Sequence, residues 1–253
     1  MIAVLTICLP SPLSAQKRPP GSGQKGAGAH VPFVGCASDG QVGPVEAPKR
    51  AEVGVQINAK AAQRLAYYQS ESSLGVLAPR GWFCFGTYGS NASNLFVTPQ
   101  PIKRDDLFST TWGEFTGPAI QASKIYGGTS GRFEVARVMA RVFPAQKAFV
   151  EQVIKEGLEP ASDFPSGPYP QDKLISQSDR IVEFETPPHA EGLGSKTSLL
   201  RANCDPISGV VILQGEAPDL LFLGVRLPSG THDLTPYIIQ QIELDNAASP
   251  SEK

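Results

Sequence analysis

The stretch Leu77–Pro99, LAPRGWFCFGTYGSNASNLFVTP, predicts two β-strands joined by a tight turn. Apolar and aromatic residues occupy both ends, and Gly, Ser and Asn fill the centre, as in a β-hairpin. Successive side chains of a strand point to opposite faces, so Phe83 and Phe85 share one face while Trp82 and Cys84 share the other. We expect the face with Trp82 and Cys84 to lie inside the protein.

The first fifteen residues predict a secretory signal peptide. Residues 1–15 hold an apolar run, two prolines and a small residue at the end, although basic residues do not precede the run. Residues 16–30 are rich in Gly, Pro, Ser and Lys, which indicates a flexible linker. No later run reaches the ~18 apolar residues that span a bilayer. We therefore expect a secreted or periplasmic protein without an integral membrane segment after signal cleavage.

Three cysteines remain after cleavage: Cys36, Cys84 and Cys204. Two close thiols join in an oxidising compartment. We expect a Cys36–Cys84 disulfide, because both residues lie in Gly-flanked segments with strand character. Cys204 lies in a turn-like sequence, and the pairings in which it replaces one of the other two stay open. The spacing Cys-x-x-Cys is absent, so neither a thioredoxin-type site nor a zinc cluster is supported.

Charge and composition describe a globular protein with a mildly acidic body. The chain has 253 residues, 41% of them hydrophobic and 18% charged, and a formal net charge of −2. Three basic residues are the only Lys, Arg, Asp or Glu before residue 31, so the remainder carries 19 basic and 24 acidic residues, about −5. Such a balance excludes a nucleic-acid partner held by phosphate neutralisation.

Strands and helices follow one another irregularly along the chain. Alternating or continuous apolar runs predict strands at 52–57, 180–186, 209–214 and 220–227, the last two adjacent in the sheet. Helical periodicity predicts helices at 59–69, 132–143, 145–156 and 236–244. We predict an α+β fold, with one mixed or mainly antiparallel sheet and three to four helices packed on it. A single domain would cover 31–246, followed by a disordered tail at 247–253.

A ligand-binding surface is predicted at the rim of the hairpin. Aromatic faces combined with amide, hydroxyl and guanidinium groups are suited to holding sugars or peptides. Packing of the hairpin core leaves four of its side chains for ligand binding: Arg80 at one end, and Tyr88, Ser90 and Asn91 at the turn. Trp112, which lies outside the hairpin, is predicted to join them.

The glycine-rich loop 127–131 is predicted to join a strand to a helix. Thr129 or Ser130 would cap the helix, and Glu134 would complete a capping box. Backbone N–H groups at a helix start bind anions, but the string Gly-x-x-x-x-Gly-Lys-Ser/Thr of a P-loop is missing. We therefore interpret this loop as a structural connection.

Catalytic signatures are weak. Glu183 and Glu185 would lie on one face of a strand, about 6.5–7 Å apart, a separation suited to acid–base work on a glycosidic bond. Two acids on the water-facing side of an edge strand are the more common arrangement. His189 and His232 are predicted in surface loops, without the spacing of a helical metal motif. No nucleophile elbow occurs, and we expect no metal and no cofactor.

The sequence therefore predicts an exported protein whose domain is non-catalytic and binds a ligand or a cell-envelope component. The alternative is a secreted hydrolase that acts on a cell-envelope polymer. A third class, a purely structural or inhibitory partner protein, is compatible with the same features.

Overall fold

The computed structural model describes residues 28–102 and 114–246, and the predicted signal peptide and tail lie outside them. The strands of this part are β1 Ala29–Gly35, β2 Ser38–Gly40, β3 Glu52–Val55, β4 Leu65–Gln69, β5 Val76–Pro79, β6 Phe83–Tyr88, β7 Ala92–Thr98, β8 Ala119–Ile125, β9 Lys173–Gln177, β10 Ile181–Thr186, β11 Ile207–Gln214 and β12 Asp219–Arg226. Its α-helices are α1 Ala59–Ala62, α2 Arg132–Val142, α3 Lys147–Lys155, α4 Leu193–Lys196 and α5 Thr235–Asn246.

The strands form two sheets. The large sheet has eight strands in the order β2-β6-β7-β8-β12-β11-β10-β9, all antiparallel apart from the parallel pair β2–β6. The small sheet has four strands in the order β3-β1-β4-β5, of which β1 and β4 are parallel. The α+β class is confirmed, whereas the single sheet that we expected is two sheets.

The large sheet is the middle layer of the molecule. On one face, residues such as Leu95 and Leu223 pack against the small sheet and against Ile238 of α5. On the other face, Val211 and Phe222 are among the residues that pack against α2 and α3. Each strand of the centre therefore buries both faces, which explains the continuous apolar runs of β11 and β12.

The disulfide Cys36–Cys84 is confirmed and joins the two sheets. Cys36 directly follows the end of β1 in the small sheet, and Cys84 lies in β6 of the large sheet. The bond closes a sequence separation of 48 residues, with the Cα atoms 5.4 Å apart. Cys204 is free and exposed. Trp82 is half-buried against the core on the same face as Cys84, as the hairpin pattern predicted.

Three local predictions were wrong. The helix predicted at 59–69 ends at Ala62, and Leu65–Gln69 is a strand beside β1, because its side chains complete the small sheet's buried face. The loop 127–131 does not cap α2 through a side chain: the N-cap is Gly131, and Thr129 donates to the Tyr126 carbonyl instead. Finally, β10 is not an edge strand, since β9 pairs with its outer side.

No helix of the described residues is long and apolar enough to cross a membrane.

Candidate functional site

An open groove lies between the large sheet and helix α2. It consists of two adjoining cavities that share Glu134, Arg137 and Thr197 as lining residues. The larger, of about 470 Å³, lies over strands β7 and β8, and we call it the sheet cavity. The smaller, of about 290 Å³, lies between α2, the loop that follows α3, and helix α4, and we call it the loop cavity.

The floor of the sheet cavity is polar, although it belongs to the sheet face that packs against helices. Thr87, Asn94 and Ser123 are cross-strand neighbours in one row of β6, β7 and β8. The same row continues through Phe222 and Val211, which are buried under the helices. The row therefore changes from apolar to polar where the helical cover ends.

Hydrogen bonds connect these polar side chains into a chain that we call the polar ladder. Asn94 Nδ2 donates to Thr87 Oγ1 at 3.1 Å, and Ser123 Oγ donates to Asn94 Oδ1 at 2.7 Å. Gln121 Nε2 donates to Ser123 Oγ at 3.0 Å, and Gln121 Oε1 accepts from the Leu199 backbone N–H at 2.8 Å. Each amide is thus held in one orientation before any ligand arrives.

Helix α2 forms the wall of both cavities through its charged face. Arg137 donates from Nη1 to Glu134 at 3.0 Å and from Nη2 to Glu159 at 2.5 Å, so one guanidinium holds two carboxylates. Arg141, one turn further along α2, lies 4.2 Å from the ring centre of Tyr169 and donates to the Gly167 carbonyl at 3.2 Å. These contacts fix the guanidinium groups along the groove.

The opposite wall of the loop cavity is held by Asp172. Its Oδ1 accepts from Thr186 Oγ1 and its Oδ2 accepts from the Leu193 N–H, both at 2.7 Å. Gly192 allows this close approach, because a Cβ there would lie 2.0 Å from Oδ1. Burial raises the pKa of the Asp172 carboxyl above its ordinary value, outweighing the two hydrogen bonds that lower it.

A buried arginine connects the segment that precedes β8 with the segment that follows α4. Arg226 is fully buried, with 0% of its surface exposed, and donates to the backbone carbonyls of Phe115, Gly117 and Arg201. These bonds tie the segment before β8 and the segment before β11 to strand β12. Burial lowers the pKa of Arg226, and the three carbonyls satisfy its fork of N–H donors.

The predicted binding residues are dispersed. Asn91 lines the sheet cavity, and Ser90 lies exposed in the adjoining turn. The Tyr88 hydroxyl donates to the Gly43 carbonyl. Arg80 donates to the carbonyls of Leu65 and Ala62, which lie in the small sheet and in the helix α1 before it. Trp112 lies outside the described residues.

The predicted carboxylate pair lies away from the groove. Val182 and Phe184 pack towards the helices, so Glu183 and Glu185 point to the opposite face of the sheet. Glu183 is buried, with 7% of its surface exposed, instead of facing water as we expected, because α5 and the small sheet cover the core on that face. Glu185 pairs with Lys173 at 3.5 Å.

Metal chemistry finds no support in the part of the chain that the structure describes, where no group of three or more His, Cys, Asp or Glu residues could hold an ion. His232 bonds to the Leu227 carbonyl through Nε2. His189 is exposed, with a positive φ of 60°. The polar residues that line the groove are amides, hydroxyls and charged groups, most of them in ion pairs, which suit hydrogen-bonding recognition.

Sequence reasoning missed the polar ladder because it missed strand β8. The segment Ala119–Ile125 alternates apolar and polar residues only from 120 to 123, and it places Gln121 and Ser123 on the face that lines the groove. The residue that could have indicated the site from the sequence was Asn94, which directly precedes the apolar run 95–97 of the hairpin's second strand. No family model, no curated protein and no solved structure shows a significant match to this chain.

Proposed function

We propose that this protein is an exported, non-catalytic binding domain whose groove holds a hydroxyl-rich polymer, a glycan of the cell envelope. The polar ladder on the floor of the groove carries this proposal. Buried side chains of a sheet are normally apolar, yet Gln121 and Ser123 are only 4% and 2% exposed. Burying amides and hydroxyls costs free energy, which their hydrogen bonds to one another offset. An apolar floor would serve folding better, so a ligand is the best reason for a polar one.

The ladder retains hydrogen-bonding capacity. The side-chain amides of Asn94 and Gln121 each carry two N–H donors, and each amide uses one of them in the ladder. Their carbonyl oxygens each have a second lone pair. Sugar hydroxyls both donate and accept, which matches this mixed set. Phe133 and Ile125, which also line the sheet cavity, offer apolar surface to the C–H face of a sugar ring.

Export is supported by two independent features. The first is the predicted signal peptide, and the second is the Cys36–Cys84 disulfide, which persists in oxidising compartments. A glycan polymer of the envelope is available to a protein in that location.

A blocking variant tests the proposal. Ser130 is exposed and lines the sheet cavity, so Ser130→Trp would fill it with a large side chain. Ser229 is exposed beyond β12, in a segment that contacts Arg64 of the small-sheet side, and Ser229→Trp is the matched control. Co-sedimentation with peptidoglycan sacculi, cellulose, xylan, and calcium-crosslinked polygalacturonate and alginate would measure binding.

We expect the unmodified protein and the Ser229→Trp variant to sediment with at least one polymer, and the Ser130→Trp variant to lose most of that retention. Retention that Ser130→Trp leaves unchanged would contradict the groove as the binding site. Absence of retention on every polymer would contradict the glycan proposal as a whole.

One observation favours the alternative of a hydrolase: Glu134 and Glu159 both line the sheet cavity. Both carboxylates are bonded to Arg137, however, so each is already engaged within the wall of the groove. The release of reducing ends from a retained polymer, abolished by Glu134→Gln or Glu159→Gln, would establish the hydrolase instead.

A further inference from the structure

The loop cavity differs from the sheet cavity in its charged groups. Its lining includes three basic side chains, those of Arg137, Arg141 and Lys196, and two acidic ones, those of Glu134 and Asp163. The ion pairs among them decide which charges remain for a ligand.

Most of these charges are already paired. Arg137 is held by Glu134 and Glu159, so its guanidinium is neutralised within the wall. Lys196 pairs with Glu191 at 2.8 Å, but 46% of the lysine side chain is exposed, and such a pair is weak and easily exchanged.

Arg141 is the basic group of the cavity that lacks an ion pair within the described residues. It lies over the Tyr169 ring, donates one N–H to the Gly167 carbonyl and donates a second hydrogen bond to the Tyr169 hydroxyl oxygen. A guanidinium has five N–H donors in a planar fork, and stacking on an aromatic ring leaves its edges available. Gly167 in turn donates its N–H to the Ala140 carbonyl of α2, which fixes the loop that positions the arginine.

The surroundings of Arg141 favour a small anionic group. Burial raises the pKa of Tyr169, so its hydroxyl keeps its proton and can donate a hydrogen bond. Asp163 is exposed at the rim. Asp172 contributes negative potential at Arg141, but both of its oxygens are occupied by Thr186 and Leu193. Its carboxylate therefore stays in the wall and leaves the fork of Arg141 open.

We propose that Arg141, with the Tyr169 hydroxyl and Lys196, forms a subsite for a carboxylate of the ligand, and that the bound glycan is consequently an acidic one. This inference rests on the proposed function, because the loop cavity continues the groove that the polar ladder floors. A planar carboxylate matches the arginine fork by two parallel hydrogen bonds. The neutral sugar units would extend over the sheet cavity.

Chemical neutralisation of the polymer tests the subsite. Peptidoglycan sacculi, which stay insoluble after amidation, would be compared with their carbodiimide-amidated form, and polygalacturonate and alginate would be compared with the neutral polymers cellulose and xylan. The protein variants are Arg141→Gln, Arg141→Lys and the matched control Arg180→Gln, since Arg180 is an exposed arginine that also bonds one carbonyl, that of Gly215.

We expect an acidic polymer to be retained, and amidation or Arg141→Gln to weaken the binding roughly tenfold to a hundredfold, the loss expected for charge-assisted hydrogen bonds. Arg141→Lys would give an intermediate value, because the charge remains without the fork, and Arg180→Gln would bind as the unmodified protein does. Urea unfolding would verify that each variant is folded.

Equal retention of neutral and acidic polymers, or an acid preference that survives Arg141→Gln, would overturn the subsite and leave the proposed function intact. Failure of every polymer to bind would overturn both.

Discussion

The Ser123 hydroxyl donates a 2.7 Å hydrogen bond to Oδ1 of Asn94, its direct neighbour across strands β7 and β8. This bond lies where the cross-strand row changes from Phe222, packed under the helices, to the open groove. The position of the change is set by how far the helices cover the sheet. The groove is therefore a consequence of an incomplete helical layer over a wide sheet.

Gln121 connects the ladder to the backbone of the neighbouring loop, so its removal affects folding as well as recognition. We expect Gln121→Leu to lower the free energy of unfolding by about 1–3 kcal/mol, because the half-buried Leu199 N–H loses its acceptor. Urea denaturation would measure the change. Gln63→Leu, at an exposed position, is the control and should stay within about 0.5 kcal/mol of the unmodified protein. An unfolding free energy that Gln121→Leu leaves unchanged would show that water replaces the lost hydrogen bond.

The sequence predicted the centre of the fold better than the site. The prediction came close to the observed bounds of the hairpin β11–β12 and of helices α2, α3 and α5. Long apolar runs and helical periodicity result directly from burial, so they can be recognised without knowledge of the tertiary contacts. The disulfide was predicted because Cys36 and Cys84 both lie in Gly-flanked segments with strand character. Strand β4 was mistaken for a helix, since its alanine and tyrosine residues suit either structure until the pairing with β1 is known.

The site residues escaped prediction for a physical reason. Gln121 and Ser123 occupy buried positions that folding alone would fill with apolar residues, and the alternation of their strand covers only positions 120 to 123. Their partner residues come from β7 and from the segment before β11, so the ladder exists only once the sheet has formed. Such a site can be predicted only when the register of the strands is known.

Arg226 is expected to be among the most sensitive positions of the chain. Arg226→Met would remove the four hydrogen bonds that a fully buried guanidinium donates to three backbone carbonyls, and we expect a loss of roughly 3–5 kcal/mol of unfolding free energy. Arg226→Lys would recover part of the loss, because an ammonium group supplies donors without the planar fork. Urea denaturation would measure the unfolding free energies of both variants, and we expect the value for Arg226→Lys to lie between those of Arg226→Met and the unmodified protein. A stable Arg226→Met variant would mean that apolar packing replaces these bonds.

The disulfide is expected to contribute about 4 kcal/mol, the chain-entropy value for a loop closed over 48 residues. The double substitution of serine for Cys36 and Cys84 should therefore lower the urea midpoint, and a reductant should have the same effect on the unmodified protein. Cys204→Ser serves as the control, since this thiol is exposed and free. A double variant as stable as Cys204→Ser would contradict the entropic role.

Asp172 makes the wall of the loop cavity sensitive to pH in a defined direction. Its folded-state pKa is raised above the ordinary 3.8 by burial, so between the two values the folded state holds a proton that the unfolded chain has released. Its contribution to stability is complete below pH 3.8 and declines as the pH rises through the folded-state pKa.

The isosteric variant Asp172→Asn has no such titration. We expect the unfolding free energy of the unmodified protein, relative to that of Asp172→Asn, to decrease as the pH rises from 3 to 7. Urea denaturation across this range measures the difference, with the exposed Asp179→Asn as the matched substitution. A difference that grows with pH would mean that the two hydrogen bonds to Thr186 and Leu193 outweigh burial, and that the carboxylate, not the acid, is the form that holds the wall in place.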